Sequence, residues 1–360
     1  MGIYPLKFKP IYKQRIWGGQ KLREVFGKDI PPSEKIGESW ELADLPDDKS
    51  VIANGEFAGQ TLSSVIQKYP KEITGDKNFS GPFPLLIKFL DAEDILSVQV
   101  HPDPETCQRM GKGEPKTECW YIISAPAASI CEAPRLASQE AEGQAKRRGV
   151  IYKGIKKGVT KQQFAEAIKN GTVVQLLAKV PVEAGQCHFL PAGTAHSIGK
   201  DLLIAEIQTP SDTTYRVFDF NRVDNTGKPR PLHIEEALES IRFEIDSDKL
   251  PVTTVGRLVD CEYFKVDKGH QAKNCELFLS PGKMQTLIIL TGFGTILSTD
   301  APHQFSPGER AGLERGWEHR YDYNWCGAVE FKAGDTLLIP AIYEGAIHFA
   351  DDTEYLTVTI

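Results

Sequence analysis

The chain has 360 residues, which is too long for one small hydrophobic core and allows two or three compact units. Hydrophobic residues make up 41% and charged residues 25%, so this is the composition of a folded protein and not of a disordered one. The net charge of −7, without a long basic block, argues against nucleic acid or an anionic membrane as a partner.

The chain shows no sign of export. No signal peptide is recognisable in the opening MGIYPLKFKPIYKQRIWGG, and no later stretch approaches the roughly 20 apolar residues that span a bilayer. The seven cysteines are scattered and form no C-x-x-C pair, which favours reduced thiols. We therefore expect a cytoplasmic protein.

Short runs rich in branched and aromatic residues alternate with Gly and Pro along the chain, as in antiparallel all-β proteins. Many short strands of this kind predict a barrel or jelly roll. The runs that we predict to be strands are 85–90, 95–100, 119–123, 202–208, 286–291, 335–339 and 355–360.

Helical patterns are few. One helix is predicted to begin at Thr160, whose hydroxyl can form a capping box with Gln163, and to end at Asn170-Gly171. A second is predicted over residues 233–241, where apolar residues recur at helical spacing.

A weak internal repeat indicates two similar domains. Residues 185–196 (GQCHFLPAGTAH) fit G-x5-P-x-G-x-x-H, a hairpin signature of the cupin jelly roll. Residues 334–342 repeat its first part, but Ile342 replaces the second glycine and Gly345 replaces the histidine. We interpret this as two jelly rolls, of which only the first is equipped for a metal.

The expected organisation is therefore mainly β, with two cupin-type jelly-roll barrels and a small helical insertion. Residues 1–125 and 171–245 would form the catalytic, metal-binding cupin domain. Residues 126–170 contain polar segments and the first predicted helix, so they are expected to form a partly helical insertion outside the barrel. Residues 250–360 would form a second, metal-free cupin-like domain.

The segment ILSVQVHPD carries the first candidate ligands. Strand alternation puts Ser97, Gln99 and His101 on one face, and Pro102 favours an end to the strand directly after them. A histidine and an amide thus face the same side.

The segment PKTECWYII carries the next candidate. Alternation puts Glu118 on the same face as Lys116 in a run that otherwise looks buried, and an inward carboxylate needs a partner. With His101 and the motif histidine His196, Glu118 would complete a cluster of two imidazoles and a carboxylate. With an amide oxygen from Gln99 and no thiolate, this set suits Zn²⁺. Each residue taken alone also fits a hydrogen-bonded polar group of the core.

Glu206 and Arg216 form a second candidate group. Glu206 alternates inward from apolar neighbours and should face the same cavity as His196. Two interpretations stay open for Arg216: a structural ion pair with Glu206, or a guanidinium that stabilises an anionic intermediate or holds a phosphate.

At this point the motifs become specific. In order and spacing, the chain resembles the type I mannose-6-phosphate isomerases, in the short bacterial form that lacks a large helical domain. The resemblance covers nearly the whole chain, and its one small departure is Cys119, where an apolar residue such as Met is expected. The segments that carry it are PIYKQRIWGG (10–19), GESWE (37–41), SVQVHPD (97–103), KTECWY (116–121), PAGTAH (191–196) and YRVFD (215–219).

The resemblance implies a site with one Zn²⁺ per chain. The metal ligands that it implies are Gln99, His101, Glu118 and His196. The residues that it places in the active site are Lys116, Glu206 and Arg216. Ser97 and Lys116 are further candidates for contact with the substrate phosphate, together with Arg216.

The resemblance also implies a reaction, the interconversion of mannose 6-phosphate and fructose 6-phosphate through an enediol(ate). The partner would be a small sugar phosphate, and the protein a monomer or homodimer. One alternative is an isomerase for another aldose phosphate, such as glucose 6-phosphate. Others are a non-catalytic, metal-containing sugar-phosphate sensor, for which a ligand or Arg216 should be missing, and a metal-dependent oxygenase, against which the glutamine ligand weighs.

Overall fold

The computed structural model describes residues 2–126, 148–223, 227–298 and 328–360. Most of the polar part of the predicted insertion, within 127–147, lies outside the described residues, as do Cys131 and Cys326. Within the described residues, no helix is both long and apolar enough to cross a membrane.

Strands dominate the described chain, which confirms the prediction of a mainly β protein. Each run predicted to be a strand overlaps an observed one. The strands are β1 Leu6–Lys7, β2 Ile11–Gly19, β3 Ile36–Leu42, β4 Leu86–Ala92, β5 Val98–Val100, β6 Glu118–Ser124, β7 Gly149–Ile155, β8 Leu177–Val182, β9 Cys187–Leu190, β10 His196–Ile198, β11 Leu202–Gln208, β12 Tyr215–Phe218, β13 Val252–Thr253, β14 Arg257–Asp260, β15 Lys265–Gln271, β16 Glu276–Leu279, β17 Gln285–Ile289, β18 Phe293–Ser298, β19 Val329–Lys332, β20 Thr336–Ile339, β21 Gly345–Phe349 and β22 Thr353–Thr359.

The helices are short. The α-helices are α1 Lys21–Phe26, α2 Leu62–Lys68, α3 Pro70–Thr74, α4 Pro104–Met110, α5 Lys161–Lys169 and α6 Ile234–Ser240. Single 3₁₀ turns lie at Gly55–Phe57, Val173–Leu176 and Ser247–Lys249.

Both predicted helices are present. Helix α5 begins with the predicted capping box: the Thr160 hydroxyl accepts from the Gln163 backbone N–H, and the Gln163 side chain accepts from the Thr160 N–H. It ends at Lys169 with Asn170 as its C-cap, and Gly171 follows with a left-handed φ of 69°. Helix α6 occupies the second predicted segment.

The chain divides into two compact units. The first unit comprises Pro10–Lys49 and Pro82–Tyr263. One of its sheets has the strand order β13-β9-β6-β11-β4-β3-β2, and the other has β12-β5-β10-β7-β8. Ile122 and Ile204 from the seven-stranded sheet pack in one buried cluster with Ile151 and Ile198 from the five-stranded sheet. The two sheets therefore face each other, as in a jelly roll.

The second unit comprises Met1–Lys9, Ser50–Gly81 and Phe264–Ile360. Strands β1-β20-β17-β22-β15 lie side by side in one sheet, and β16-β21-β18-β19 form another. Their inner faces share an apolar cluster. Two sheets per unit support the interpretation as two jelly rolls, which stays a prediction at the level of closed barrels.

The compact units differ from the expected domain bounds at both ends of the chain. Residues 250–263, expected in the second domain, belong to the first unit. Residues 1–9 and 50–81 were expected in the catalytic domain, yet they belong to the second unit. The reason is backbone pairing: Leu6 lies opposite Leu338, and the N–H of Ala341 donates to the carbonyl oxygen of Ile73 at 2.9 Å. The expected insertion also contains β7, a strand of the five-stranded sheet.

The glycines of the repeated motif have clear structural reasons. Gly193 has a φ of +86° in the turn before His196, and Gly334 has a φ of +85° at the start of the second copy. Gly345, at the position of the missing histidine, begins β21. A Cβ atom placed there would lie 2.2 Å from the carbonyl oxygen of Leu297.

Candidate metal centre

A row of polar side chains crosses the five-stranded sheet of the first unit. Arg216 and His196 both lie opposite Gln99, and Lys153 lies opposite His196. Directly opposed residues of antiparallel strands share one face, so these side chains project from the same side of the sheet. Lys153 ends the row in a buried position, where its ammonium donates to the Pro251 carbonyl at 2.8 Å.

A second row crosses the seven-stranded sheet. Lys88 lies opposite both Trp40 and Glu206, and Trp120 lies opposite both Glu206 and His188. All five residues are at most 5% exposed. Two charged residues thus lie in the interior of the unit, where each needs a counter-charge.

Three side chains form a compact buried cluster. His101 follows β5, Glu118 begins β6 and His196 begins β10. Nε2 of His101 lies 3.5 Å from one Glu118 oxygen, and Nε2 of His196 lies 3.4 Å from the other. The three donor atoms lie within 4.8 Å of one another. In the part of the chain that the structure describes, no other group of His, Cys, Asp and Glu donors is so close.

The backbone fixes the orientation of both imidazoles. Nδ1 of His101 lies 2.8 Å from the Thr213 carbonyl oxygen, and Nδ1 of His196 lies 2.8 Å from that of Thr194. A carbonyl oxygen only accepts, so each Nδ1 carries the proton. Each Nε2 therefore presents a lone pair, the arrangement typical of metal-binding histidines.

The donor set of this cluster fits a divalent cation. Burial is the main cause that lowers the pKa of both His101 and His196, so the neutral rings are favoured. Two neutral Nε2 lone pairs then face the acceptor atoms of the Glu118 carboxylate, and its Oε1 receives no hydrogen bond from the described residues. Nε2 of His196 and Oε1 of Glu118 are thus two acceptors 3.4 Å apart in a buried site, an arrangement that a cation between them would stabilise. Two nitrogens and a carboxylate suit zinc.

Gln99 lies beside this cluster as the sequence predicts. Its amide lies 3.4 Å from Nε2 of His196, and its oxygen accepts from the Ser97 hydroxyl at 3.3 Å. Rotation about the last side-chain bond lets the amide present its oxygen instead of its nitrogen. Gln99 is therefore placed to supply the fourth ligand.

Lys116 joins the cluster to Glu206. Its Nζ lies 2.7 Å from Oε2 of Glu118 and 3.2 Å from Nε2 of His101. It also lies 3.6 Å from Oε1 of Glu206. Burial lowers the pKa of this ammonium, but the charges of Glu118 and Glu206 outweigh it and raise the pKa above the ordinary value. The amine is held in its charged form.

In the structure, Glu206 lies beside Lys88 and Lys116 and not beside Arg216. Oε1 of Glu206 lies 3.3 Å from Nζ of Lys88, and Oε2 accepts from the Trp120 indole at 3.1 Å. Sequence reasoning missed Lys88. The available signal was one lysine inside the apolar run LLIKFL.

Arg216 is held at the same face by neutral partners. Its Nε donates to Oγ of Ser97 at 3.3 Å, and its Nη1 donates to the Pro231 carbonyl at 3.0 Å. Burial and then the charge of nearby Arg230 lower the pKa of Arg216. Within the described part of the chain this guanidinium has no carboxylate partner and has further positive charge beside it, which suits an anion.

Asp219 anchors the arginines next to Arg216. Its Oδ1 accepts from Arg222 at 2.6 Å, and its Oδ2 accepts from Arg230 at 2.7 Å. Burial raises the pKa of Asp219, but the hydrogen bonds from Arg230 and Arg222 prevail and leave it below the ordinary value.

We expect Asp219→Asn to lower the free energy of unfolding by about 2 kcal/mol at pH 7, because two half-buried arginines lose their carboxylate. The lowered folded-state pKa makes this contribution present above about pH 4 and lost as the pH falls through the folded value. Urea unfolding at pH 7 and at about pH 2 should therefore show a smaller gap from the wild type at the lower pH.

Glu244→Gln is the matched control, since the Arg242–Glu244 pair is exposed and should contribute at most about 0.5 kcal/mol. Equal losses for the two variants, or a gap that widens at low pH, would contradict the assignment of Asp219.

Known proteins resemble this chain over most of its length. The family model for the catalytic domain of type I phosphomannose isomerase matches residues 6–118. The mannose-6-phosphate isomerase ManA of Bacillus subtilis is 36% identical over 328 residues, which cover 88% of this chain and 95% of ManA. The chain belongs to the type I phosphomannose isomerase family.

Other members of the family agree. The mannose-6-phosphate isomerase of Streptococcus mutans is 39% identical over 272 residues, which cover 73% of this chain and 78% of that protein. The crystal structure of the mannose 6-phosphate isomerase from Bacillus subtilis matches with a TM-score of 0.78 at 27% identity, over 99% of this chain and 100% of that one. The resemblance found in the motifs is confirmed.

The family model ends at Glu118, so His196 and Arg216 lie beyond the range that it matches. The individual roles predicted for the site residues of this phosphomannose isomerase are therefore argued from geometry, and they stay predictions.

Proposed function

We propose that this member of the type I phosphomannose isomerase family interconverts mannose 6-phosphate and fructose 6-phosphate. The observation that carries the proposal is the convergence of two imidazole Nε2 atoms on one buried carboxylate, in a chain whose relatives have this name. One Zn²⁺ would be held by Gln99, His101, Glu118 and His196. A cytoplasmic location and a monomer or homodimer remain predictions from the sequence.

The reaction moves a proton between C1 and C2 through an enediol(ate), in which negative charge develops on the substrate oxygens. A bound Zn²⁺ supplies Lewis-acid stabilisation of such charge. Arg216 supports this chemistry because its guanidinium pairs with no carboxylate among the described residues and remains able to hold a developing negative charge.

The remaining predicted site residues bind the substrate or position the groups that do so. Lys116 offers a buried ammonium to anionic oxygens of the substrate, and Glu206 helps to hold that ammonium through a contact of 3.6 Å. Ser97 links Gln99 to Arg216 through its hydroxyl. It thereby connects the predicted amide ligand to the guanidinium of Arg216. We predict that the same hydroxyl contacts the substrate phosphate.

A coupled assay tests this function. Purified protein should convert mannose 6-phosphate, lose that activity with a chelator, and regain it with added Zn²⁺. Glucose 6-phosphate offered as the aldose in parallel distinguishes the other isomerase. Binding of sugar phosphates without turnover of either would favour the sensor instead.

We expect one tightly held zinc per chain, because the described second unit has no such donor cluster. Elemental analysis after gel filtration should find about one equivalent in the wild type and in His270→Ala, an exposed site in the second unit, and little in His196→Ala. Two equivalents in the wild type, or one that survives His196→Ala, would refute the assignment.

A further inference from the structure

The main chain of Arg216 lies at the edge of the five-stranded sheet and has a partner outside that sheet. Strand β12 is the edge strand, and Arg216 lies opposite Gln99 of β5 on its inner side. The outward N–H and C=O groups of an edge strand need other partners. Here the N–H of His233 donates to the carbonyl oxygen of Arg216 at 2.8 Å.

The imidazole of His233 completes this contact. Its Nδ1 accepts from the backbone N–H of Arg216 at 3.3 Å, so both main-chain polar groups of Arg216 bond to one residue. An N–H group only donates, so Nδ1 presents its lone pair and the neutral ring carries its proton on Nε2. Burial and then the charge of Arg216 lower the pKa of His233, which favours this neutral ring. We call the two hydrogen bonds the His233 clamp.

The segment that carries the clamp also holds the guanidinium. Pro231, two residues before His233, accepts from Nη1 of Arg216 through its carbonyl oxygen at 3.0 Å. The second partner of the guanidinium is Oγ of Ser97, which accepts from Nε at 3.3 Å. Residues 231–233 thus contact Arg216 at its main chain and at the end of its side chain.

Helix α6 keeps His233 in its place. The N–H of Ala237 donates to the carbonyl oxygen of His233 at 2.9 Å, so His233 is the N-cap residue of α6. Ala237 is fully buried in an apolar cluster with Val217 of β12 and Val100 of β5. The His233 ring also lies 6.1 Å from the ring of Tyr215. Packed residues therefore fix both sides of the clamp.

We propose that His233 is a positioning residue that fixes the guanidinium of Arg216 through the main chain of Arg216. The proposal rests on the proposed function only in what Arg216 does to the substrate. Without the ring acceptor, the Arg216 N–H loses its hydrogen bond and β12 is free to shift relative to α6. The guanidinium then moves relative to the metal ligands, and a misplacement of about 1 Å can cost about 10²-fold in rate.

The main experiment compares His233→Leu with His233→Asn. Leucine removes the acceptor, whereas asparagine places its Oδ1 at the position of Nδ1 and keeps it. We expect kcat to fall by about 10- to 100-fold in His233→Leu. KM should stay within about threefold of the wild type, because the charge that Arg216 stabilises develops during the reaction. His233→Asn should recover most of the loss.

Leu238→Ala is the matched control in the same helix. The Leu238 side chain is partly buried against the apolar cluster that contains Ala237, and an apolar side chain cannot accept from the Arg216 N–H. Leu238→Ala should lower the melting temperature while kcat per folded molecule stays near the wild-type value. A loss of turnover as large as in His233→Leu would mean that a loosened α6 explains the effect, and it would overturn the proposal.

A readout without substrate follows Arg216 directly. In protein with ¹⁵N-labelled arginine, the Nε–H group of Arg216 should give a signal that Arg216→Lys removes. We expect this signal to shift or broaden in His233→Leu and to keep its position in His233→Asn and Leu238→Ala. Zinc content should stay unchanged in these three variants, because neither His233 nor Leu238 is a predicted ligand.

A second variant covers the case in which His233→Leu does not fold. His233→Gln keeps a polar side chain, but its amide oxygen lies one bond further from the main chain than Nδ1 does. It should therefore break the clamp and show the same loss of kcat and the same change of the Arg216 signal.

The outcomes separate the two proposals. An unshifted Arg216 signal without the clamp would overturn the positioning role, and so would a raised KM with normal kcat or an asparagine variant without recovery. Protein that does not isomerise mannose 6-phosphate, but whose Arg216 signal responds to His233→Leu and not to Leu238→Ala, would refute the proposed function. It would leave the positioning of Arg216 supported.

Discussion

Arg216→Ala is expected to lower turnover by about 10²- to 10³-fold, which is the usual loss when a preorganised charge-stabilising donor is removed. Zinc content and melting temperature should change little, because Arg216 is not a ligand and its described partners are the Ser97 hydroxyl and the Pro231 carbonyl. Arg216→Lys should recover only part of the loss, since an ammonium cannot reproduce the guanidinium fork.

Measuring turnover, zinc content and melting temperature on one preparation tests this expectation. The structural alternative, an Arg216–Glu206 ion pair, predicts a destabilised protein with nearly normal turnover per folded molecule. The structure disfavours that alternative because the charges nearest Glu206 are Lys88 and Lys116. A destabilised but catalytically normal Arg216→Ala would remove Arg216 from the active site.

His101→Ala is expected to release the metal and to reduce activity by more than about 10²-fold. The loss of one of two imidazoles removes a ligand bond and the geometry of the set, and with it several kcal/mol of Lewis-acid stabilisation. Zinc content by elemental analysis and turnover by the coupled assay should fall together.

His188→Ala is the control for His101→Ala, because His188 is also fully buried but lies outside the donor cluster. Its loss should lower the melting temperature and leave zinc content near one equivalent. If His101→Ala retained its zinc while His188→Ala lost it, the cluster would be assigned to the wrong histidine.

Local signals predicted helix α5 and the turn glycines. Thr160, Gln163 and Gly171 specify a capping box and a left-handed end through bonds within a few residues. Helix α4 was missed although Asp103 caps it by accepting from the N–H of Thr106 at 2.7 Å. Its first turn contains proline, and Thr106 is its sole buried residue, so it has no apolar periodicity.

The candidate site was predictable where the side-chain direction depends on alternation alone. Gln99 and Glu118 face inward for that reason. The partner of Glu206 was not predictable, because the sheet register brings Lys88 opposite it from a strand more than a hundred residues earlier. Long-range pairing of this kind leaves no local pattern.

The glycine at position 345 limits how the second unit can change. Its missing Cβ leaves room for the Leu297 carbonyl, which would lie 2.2 Å from any side chain added there. Replacing it by histidine would force two paired strands apart before a ligand could form. A single substitution at position 345 therefore does not restore the histidine of the motif without a shift of the backbone.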